Sequence, residues 1–444
     1  MLGIDCVIIT IVMNIGTAEH GCPVPLCVCK SNTTARCMNH EKDLDYVPQL
    51  PSSVRTLDFV NNYLPHINRQ TFVNVSSNDI NRLNLTQNRI QTISNDSFLD
   101  FKSFYVLDLS SNIDIHLDTL QACFASIHFV YEGSLHLRNV FRSGVILHDI
   151  FQHFTDSYLF LIDLKENNLI EIDGKIFQYL NHLNKLDVSN NRIAIINYSG
   201  LHRLTFLHID NNNLKEVPSF CSENGSSLAH RLRGLSILNN RVQVLKTNDF
   251  QCAVRIQFLY ISNNPLREIQ NNVLAPLTKL SILTIIPSRH TLKHIQSYAF
   301  NASNLKSLSL SDAHFKFRHQ TFDPDNIFNF CPWLHTLILS YNSVPSDSET
   351  AIRMFGPLRR LKKLVLFAVG WKALPGDLFN RLASLKSLEL GNNNIFSLSL
   401  NNPFKYMKGL DFLGLSANKL NTFHKNSLPD NIVDGLKTLL LCGA

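Results

Sequence analysis

Two histidines four residues apart, His290 and His294, and a cluster of four cysteines, Cys22, Cys27, Cys29 and Cys37, are the residues of this 444-residue chain whose types and spacing first invite chemistry. A histidine pair at that spacing on a helix can hold zinc, but a zinc peptidase also places a glutamate base beside the first histidine, and Thr291 stands there. The cysteine spacing Cx4CxCx7C would suit a metal in a reducing compartment. Behind an export signal it reads instead as two disulfides stapling a segment too small to hold itself. No GxSxG, HExxH, phosphate-loop or dinucleotide-binding glycine motif occurs. The expectation is therefore a non-enzyme with no cofactor and no metal.

The compartment follows from the N-terminus. Residues 7–15 (VIITIVMNI) form an apolar run too short to span a bilayer, and Gly16, Thr17 and Ala18 supply small residues for a cleavage site. Residues 1–18 read as a secretory signal peptide, with Asp5 and the missing Lys or Arg as departures from the usual basic start. Cys6 leaves with it. No later run of 18 apolar residues appears, so membrane attachment would need a segment missing from this chain. Sequons at Asn32, Asn74, Asn84, Asn95, Asn197, Asn224 and Asn301 fit a secreted glycoprotein. Lys plus Arg number 41 against 35 Asp plus Glu, a net charge of +6, too mild to argue for nucleic acid. With 17% charged residues and 29 Phe the chain is too apolar to be disordered.

These residues must be carried by a repeat. The frame LxxLxLxxNxL recurs from Val54 through Leu183, Leu280 and Leu361 to Leu436, usually at steps of 24 or 25 residues. The double-length gap between Phe104 and Leu159 hides a degenerate unit around residues 127–137. Alternation within the frame is that of a short strand, apolar residues inward and variable residues outward. The Asn enters the core as the chain turns away, and repetition makes it a ladder through Asn62, Asn88, Asn112, Asn167, Asn191, Asn212, Asn240, Asn264, Asn342, Asn393 and Asn418. Downstream of each strand an Ile or Leu precedes a Phe or Leu by five residues, as in Ile67/Phe72, Ile93/Phe98 and Ile295/Phe300. Bulk on that side spreads the outer wall, so the stack curves with its sheet concave. Only stacking buries each turn's apolar face.

The frame and its Phe spine resemble extracellular leucine-rich-repeat proteins over residues 54–444, and the four-cysteine segment resembles their N-terminal cap. The irregular turn lengths, the opening VPQLPSSVRTLDFVNNYL (47–64) and FNFCPWLHTLILSYN (328–342) most resemble the ectodomain of a Toll-like receptor of an invertebrate kind. The resemblance implies an α/β solenoid, a curved horseshoe with a parallel β-sheet on the concave face and irregular or short helical segments on the convex side. It also implies a receptor of innate immunity that binds a microbial or protein ligand, pairs as an ectodomain homodimer, and resides extracellularly, at the cell surface or in the endosomal lumen. The other reading is an adhesion or matrix protein that binds proteins without signalling. The expected organisation is a signal peptide (1–18), a disulfide-stapled cap (19–53) and about sixteen repeats (54–444), the last one truncated before any cap.

A binding wall then has assignable positions. Early turns present Arg55, Asp58, Arg82 and Lys165 on the concave face, where a glycan on Asn84 would also lie. Farther along, Ile282, Ile286, Ile338, Tyr341, Val365 and Phe367 form an apolar stripe expected to contact ligand. The ladder Asn is replaced at Ser288, Ala313 and Val369, where a bend or protruding loop is expected. Cys221 and Cys252 occupy neighbouring positions of successive turns and are expected to pair. Cys331 reads as a buried thiol, and Cys123 and Cys442 have no evident partner. Beyond Asn301 there is no sequon, leaving a bare face for a large partner, and five histidines from His290 to His335 raise a pH-sensitive surface.

Overall fold

The computed structural model describes residues 20–21, 27–38, 43–288, 290–375, 377–398, 403–404, 407, 409–420 and 428–443. The expected signal peptide, Cys6 and Cys22 lie outside them.

Among the described residues one 19-stranded sheet runs from His20–Gly21 to Thr438–Leu440. It begins with antiparallel strands, His20–Gly21 against Val28–Ser31 and that strand against Thr34–Cys37. From Thr34–Cys37 onward every neighbour is parallel. The register keeps one aliphatic residue per turn in line: Leu57, Leu83, Leu107, Leu135, Ile162, Leu186 and Leu207, and on through Leu283, Leu308, Leu337 and Leu364 to Leu388, Leu413 and Leu439. The strands from Thr56–Phe59 through Phe412–Gly414 bury this residue and leave its two neighbours mostly half-exposed, the signature of a one-faced sheet. Helix is minor: Leu117–Cys123, Ser348–Phe355 and Asp430–Val433 are the α-helical segments among the described residues, with short 3-10 turns such as Arg69–Val75.

The Asn ladder works backwards along the stack. Asn88 Oδ1 accepts from Asn62 N at 3.0 Å, Asn112 Oδ1 from Asn88 N at 2.8 Å, and Asn264 Oδ1 from Val242 N at 3.0 Å. Each Nδ2 donates to a carbonyl of the preceding turn and to its own, as Asn264 does to Ile237 O and Ile261 O, both at 2.9 Å. The buried amide thus satisfies backbone groups that the bend would otherwise leave without partners.

The spine pairs are buried too; Phe72, Phe98, Phe177, Phe250, Phe300 and Phe379 are at most 1% exposed. Their rings stack at 5.8 Å for Phe72–Phe98, 5.6 Å for Phe151–Phe177, 5.9 Å for Phe300–Phe328 and 6.4 Å for Phe328–Phe355. Strands repeat at only about 4.8 Å. The outer wall is therefore longer per turn than the sheet, which makes the sheet side the inside of a curve.

Cys27–Cys37 near the start and Cys221–Cys252 across adjacent turns are disulfides that brace the stack. Cys29 is disulfide-bonded as well. Cys123 and Cys331 are buried thiols and Cys442 an exposed one. Burial pushes the Cys331 thiol up to about 12, and its Sγ donates to Phe300 O at 2.9 Å, so it is inert at neutral pH.

Candidate functional site: the strand face

The outward rows of the sheet carry three distinct surfaces. The first is a charged cluster in the early turns. Asp163, whose side chain is 6% exposed, accepts from Arg138 Nη2 at 2.9 Å and lies 3.5 Å from His136 Nδ1. Its other oxygen accepts from Lys165 N at 3.1 Å, and Lys165 Nζ reaches Asp187 at 2.8 Å. Burial pushes the Asp163 carboxyl up, but the hydrogen bonds from His136, Arg138 and the Lys165 backbone outweigh it and hold the group well below the usual carboxylate range. A depressed folded-state pKa contributes stability that is present above about pH 4 and lost as the pH falls below it. Asp163→Asn is expected to cost about 2 kcal/mol at pH 7 and to flatten that acid limb, as read from denaturation midpoints across pH. Arg55, Asp58 and Arg82 do not join this cluster. Arg55 lies 3.8 Å from Asp79, and Arg82 sits over the Tyr105 ring at 5.7 Å.

The second surface is the expected apolar stripe, which the fold divides. Ile338 and Val365 are register partners on adjacent strands, and Tyr341 and Phe367 follow them with rings 5.5 Å apart, edge to face. Ile282 and Ile286 lie two turns earlier, separated by the turn carrying Ser307, Ser309 and Ser311. Tyr341 is 42% exposed and the other five are half-buried. Beyond Phe367 the next two turns carry Gly391 and Gly414, and side chains cover both: Phe367 and Glu389 lie over Gly391, and a Cβ on Gly414 would come within 2.1 Å of Glu389 Oε2. Glu389 Oε1 accepts from Gly391 N at 2.8 Å.

Tyr341 has φ +58°, in the left-handed region. The residue before each ladder position adopts this conformation, and Asn61, Asn190, Asn211, Asn239, Asn263 and Asn392 fill it elsewhere. Asparagine tolerates the region; a large aromatic is held there at a cost of order 1 kcal/mol. Tyr341 is the exposed member of this patch, set edge-on to the half-buried Phe367.

The third surface lies where the ladder is interrupted. Ser288 N donates to Asn264 O, and Asn342 Oδ1 reaches back to Phe315 N at 2.9 Å. Val369 N is taken by Asn393 Oδ1 at 3.0 Å. Beside the first two gaps His290 stacks on His314 at 4.4 Å, and with Leu292, Lys293 and Lys316 they line a cavity of about 260 Å³. His294 lines a different hollow, with His319 and Asp323, so the two histidines share no site. Among the described residues no group of three His, Cys, Asp or Glu could hold a metal ion.

Of the sequon residues, Asn32, Asn74, Asn95, Asn197 and Asn224 are exposed and Asn84 and Asn301 half-buried. No described helix is long and apolar enough to cross a membrane.

Comparison with known proteins agrees with this geometry. Residues 52–113 and 157–214 match a leucine rich repeat model, and residues 198–329 match a BspA type leucine rich repeat region. Chicken (Gallus gallus) Tsukushi is 29% identical over 58% of this chain and 68% of its own length. Mouse (Mus musculus) CD180 antigen is 25% identical over 60% of the chain and 40% of its own length, and mouse Toll-like receptor 7 is 25% identical over 76% and 35%. The chain thus spans well under half of these two. A solved TLR13–ssRNA13 complex superposes with a TM-score of 0.61 at 18% identity, covering 88% of this chain and 64% of that one, a likeness of fold.

Proposed function

We propose that this leucine-rich-repeat protein, related at low identity both to Toll-like receptors and to Tsukushi, is the ligand-binding ectodomain of a Toll-like pattern-recognition receptor of the invertebrate type its opening resembles. It takes a microbial or protein ligand on the strand face and pairs with a second copy. The observation that carries this reading is Tyr341, strained, exposed and packed edge-on against Phe367 beside Ile338 and Val365. Aromatic anchors of this kind supply most of the energy at protein contacts. Gly391 and Gly414 leave the space that Phe367 and Glu389 fill, so Glu389 sets a carboxylate beside the aromatic pair. The stretch beyond Asn301, free of sequons, is where a large partner meets no glycan.

Tyr341→Asn is the informative variant. Relief of backbone strain and loss of the ring contact offset each other, so stability is expected to stay within about 1 kcal/mol of the parent. Ligand-dependent signalling should nevertheless fall about tenfold or more. The assay is a reporter cell carrying the chain ahead of a receptor's transmembrane and TIR segments, challenged with heat-killed bacteria. Undiminished signalling by a stably folded Tyr341→Asn, Phe367→Ser double variant removes the patch from the reading. A second reading, a secreted or cell-surface protein that binds other proteins without signalling, draws support from the Tsukushi match, which spans two thirds of that protein. The 3′ end of the transcript separates them: a TIR-encoding extension favours the receptor, a cysteine cap followed by a stop the other.

A further inference from the structure

The cations of the chain are not spread evenly. In the turns whose strands run from Phe206–His208 to Ser387–Glu389, the residues that lead into each strand include many Lys and Arg and no Asp or Glu. Four residues before the aligned core residue, consecutive turns place Arg203, Arg231, Arg255 and Lys279. Two residues before it, later turns place Lys306, Lys362 and Lys386, with His335 between the first two. The backbone ties this second row together: His335 N donates to Lys306 O, Lys362 N to His335 O, and Lys386 N to Lys362 O. All seven cations are exposed except Arg203, which is half-buried, and among the described residues none is in an ion pair.

Crowding of like charge is felt by the histidines among them. Burial, then Arg203, His230 and Arg231, push His202 down; burial, then Lys362, Lys306 and Arg360, do the same to His335. The turn before Arg203 holds His182 and Asn184 at the same two positions, and in the first turns Arg55 lies 3.8 Å from Asp79. Past Lys386 the row meets Asp411, which pairs with Lys437 at 3.6 Å. A cationic track is therefore bounded at both ends. Seven inter-strand steps of about 4.8 Å make it about 34 Å long.

We propose that this strand-entry edge is the docking track for a linear sulfated polysaccharide. Unpaired cations at a fixed spacing on a rigid edge suit a polymer with a regular series of anions, and flexible Lys and Arg stems suit tetrahedral sulfates. Single-stranded nucleic acid fits less well, because its bases need open aromatic faces to stack on. Trp333 is the aromatic ring in these two rows, and Arg360 lies over its face at 3.6 Å. The sequon residues Asn197, Asn224 and Asn301 fall outside both rows.

The test is retention of the secreted chain on immobilised heparin, compared with fully desulfated heparin and with oligo(dT). Retention on heparin that needs raised salt to break, and that is lost on the desulfated polymer, is the expected result. Arg231→Ser, Arg255→Ser, Lys279→Ser and Lys306→Ser combined should weaken heparin affinity tenfold or more. An equal charge change dispersed over the chain, Lys30→Ser, Lys175→Ser, Arg318→Ser and Lys419→Ser combined, should change it less than threefold. All eight residues are exposed, so melting curves of both variants should match the parent. Equal loss in the two variants would reduce the track to net charge and overturn the proposal. Tighter binding of oligo(dT) than of heparin, lost in the first variant, would assign the edge to nucleic acid and overturn it as well. Neither result bears on the Tyr341 patch.

Discussion

Replacing Asn393 with alanine is expected to destabilise the chain by about 4 kcal/mol, the largest loss from any single side chain of the ladder. Asn393 is 5% exposed, and its Oδ1 accepts from three successive backbone amides of the preceding turn: Val369 at 3.0 Å, Gly370 at 2.9 Å and Trp371 at 3.1 Å. Its Nδ2 donates to Leu366 O and Leu390 O, both at 2.8 Å. Most ladder residues serve fewer groups; Asn240 Oδ1 takes Leu214 N at 3.0 Å. The difference arises because Val369 stands where that turn's own Asn would be, so Asn393 serves a bend without an amide of its own. Alanine leaves several buried N–H and C=O groups with neither protein nor water as partner. Each such group costs about 1–3 kcal/mol, and relaxation keeps the sum below simple addition.

The loss should also be local. Trp371 is fully buried, with its Nε1 donating to Val344 O at 3.1 Å, so opening of residues 369–371 unseats the largest side chain of that turn. Hydrogen exchange should speed first at Val369, Gly370 and Trp371, while amides near Leu57 and Leu83 keep their protection. Asn240→Ala should cost about half as much. Equal costs for the two variants would mean that the count of bonded backbone groups does not govern ladder stability.

Much of this is legible before any coordinates. The aligned Leu row, the Asn ladder and the Phe spine depend on spacing within one turn, which a repeat writes many times. The degenerate turn is harder to read because its strand, Phe129–His136, is long and irregular: Glu132 has φ +61°, and a Cβ on Gly133 would meet Phe129 at 2.5 Å. Its ladder position holds Val140, and Asn167 Oδ1 compensates by taking both Val140 N and Phe141 N at 2.7 Å.

Contacts between turns are what the sequence hides. Asp163, His136 and Arg138 are separated by 25 and 27 residues and converge only once the register is set, so Lys165 stands alone in a sequence reading. The apolar stripe looks continuous for the same reason; the serine-bearing turn that splits it is invisible until turns are stacked. The basic edge escapes notice because it is a column across turns, and a net charge of +6 gives no hint of it. Tyr341 was readable in kind, since the position ahead of a ladder Asn repeatedly holds Asn, a residue suited to positive φ.

Removing the Cys221–Cys252 bond by a double serine substitution is the second large effect, expected to cost about 3.5 kcal/mol. The bond closes a 31-residue separation, and loop-closure entropy gives that magnitude. Few contacts duplicate the constraint. Residues 222–226 form a small exposed turn held mainly by Ser222, Asn224 and Ser226 to one another, with Asn224 Oδ1 accepting from Ser226 N at 3.1 Å. Ser227 Oγ donates to Cys252 O at 2.6 Å, but that bond holds only while the two turns stay together. Without the disulfide the long turn from Leu204 to Leu232 loses its tie to the next, and exchange should quicken from Phe220 to Ala229 before the strand Gly234–Ser236 is affected. Cys331→Ser is the matched control: a buried thiol with no bond to break, whose loss should cost less than about 1.5 kcal/mol, because serine can donate to the same Phe300 carbonyl. A double variant as stable as Cys331→Ser would mean that packing around Phe220 and Ala229, both 1% exposed, holds this turn unaided.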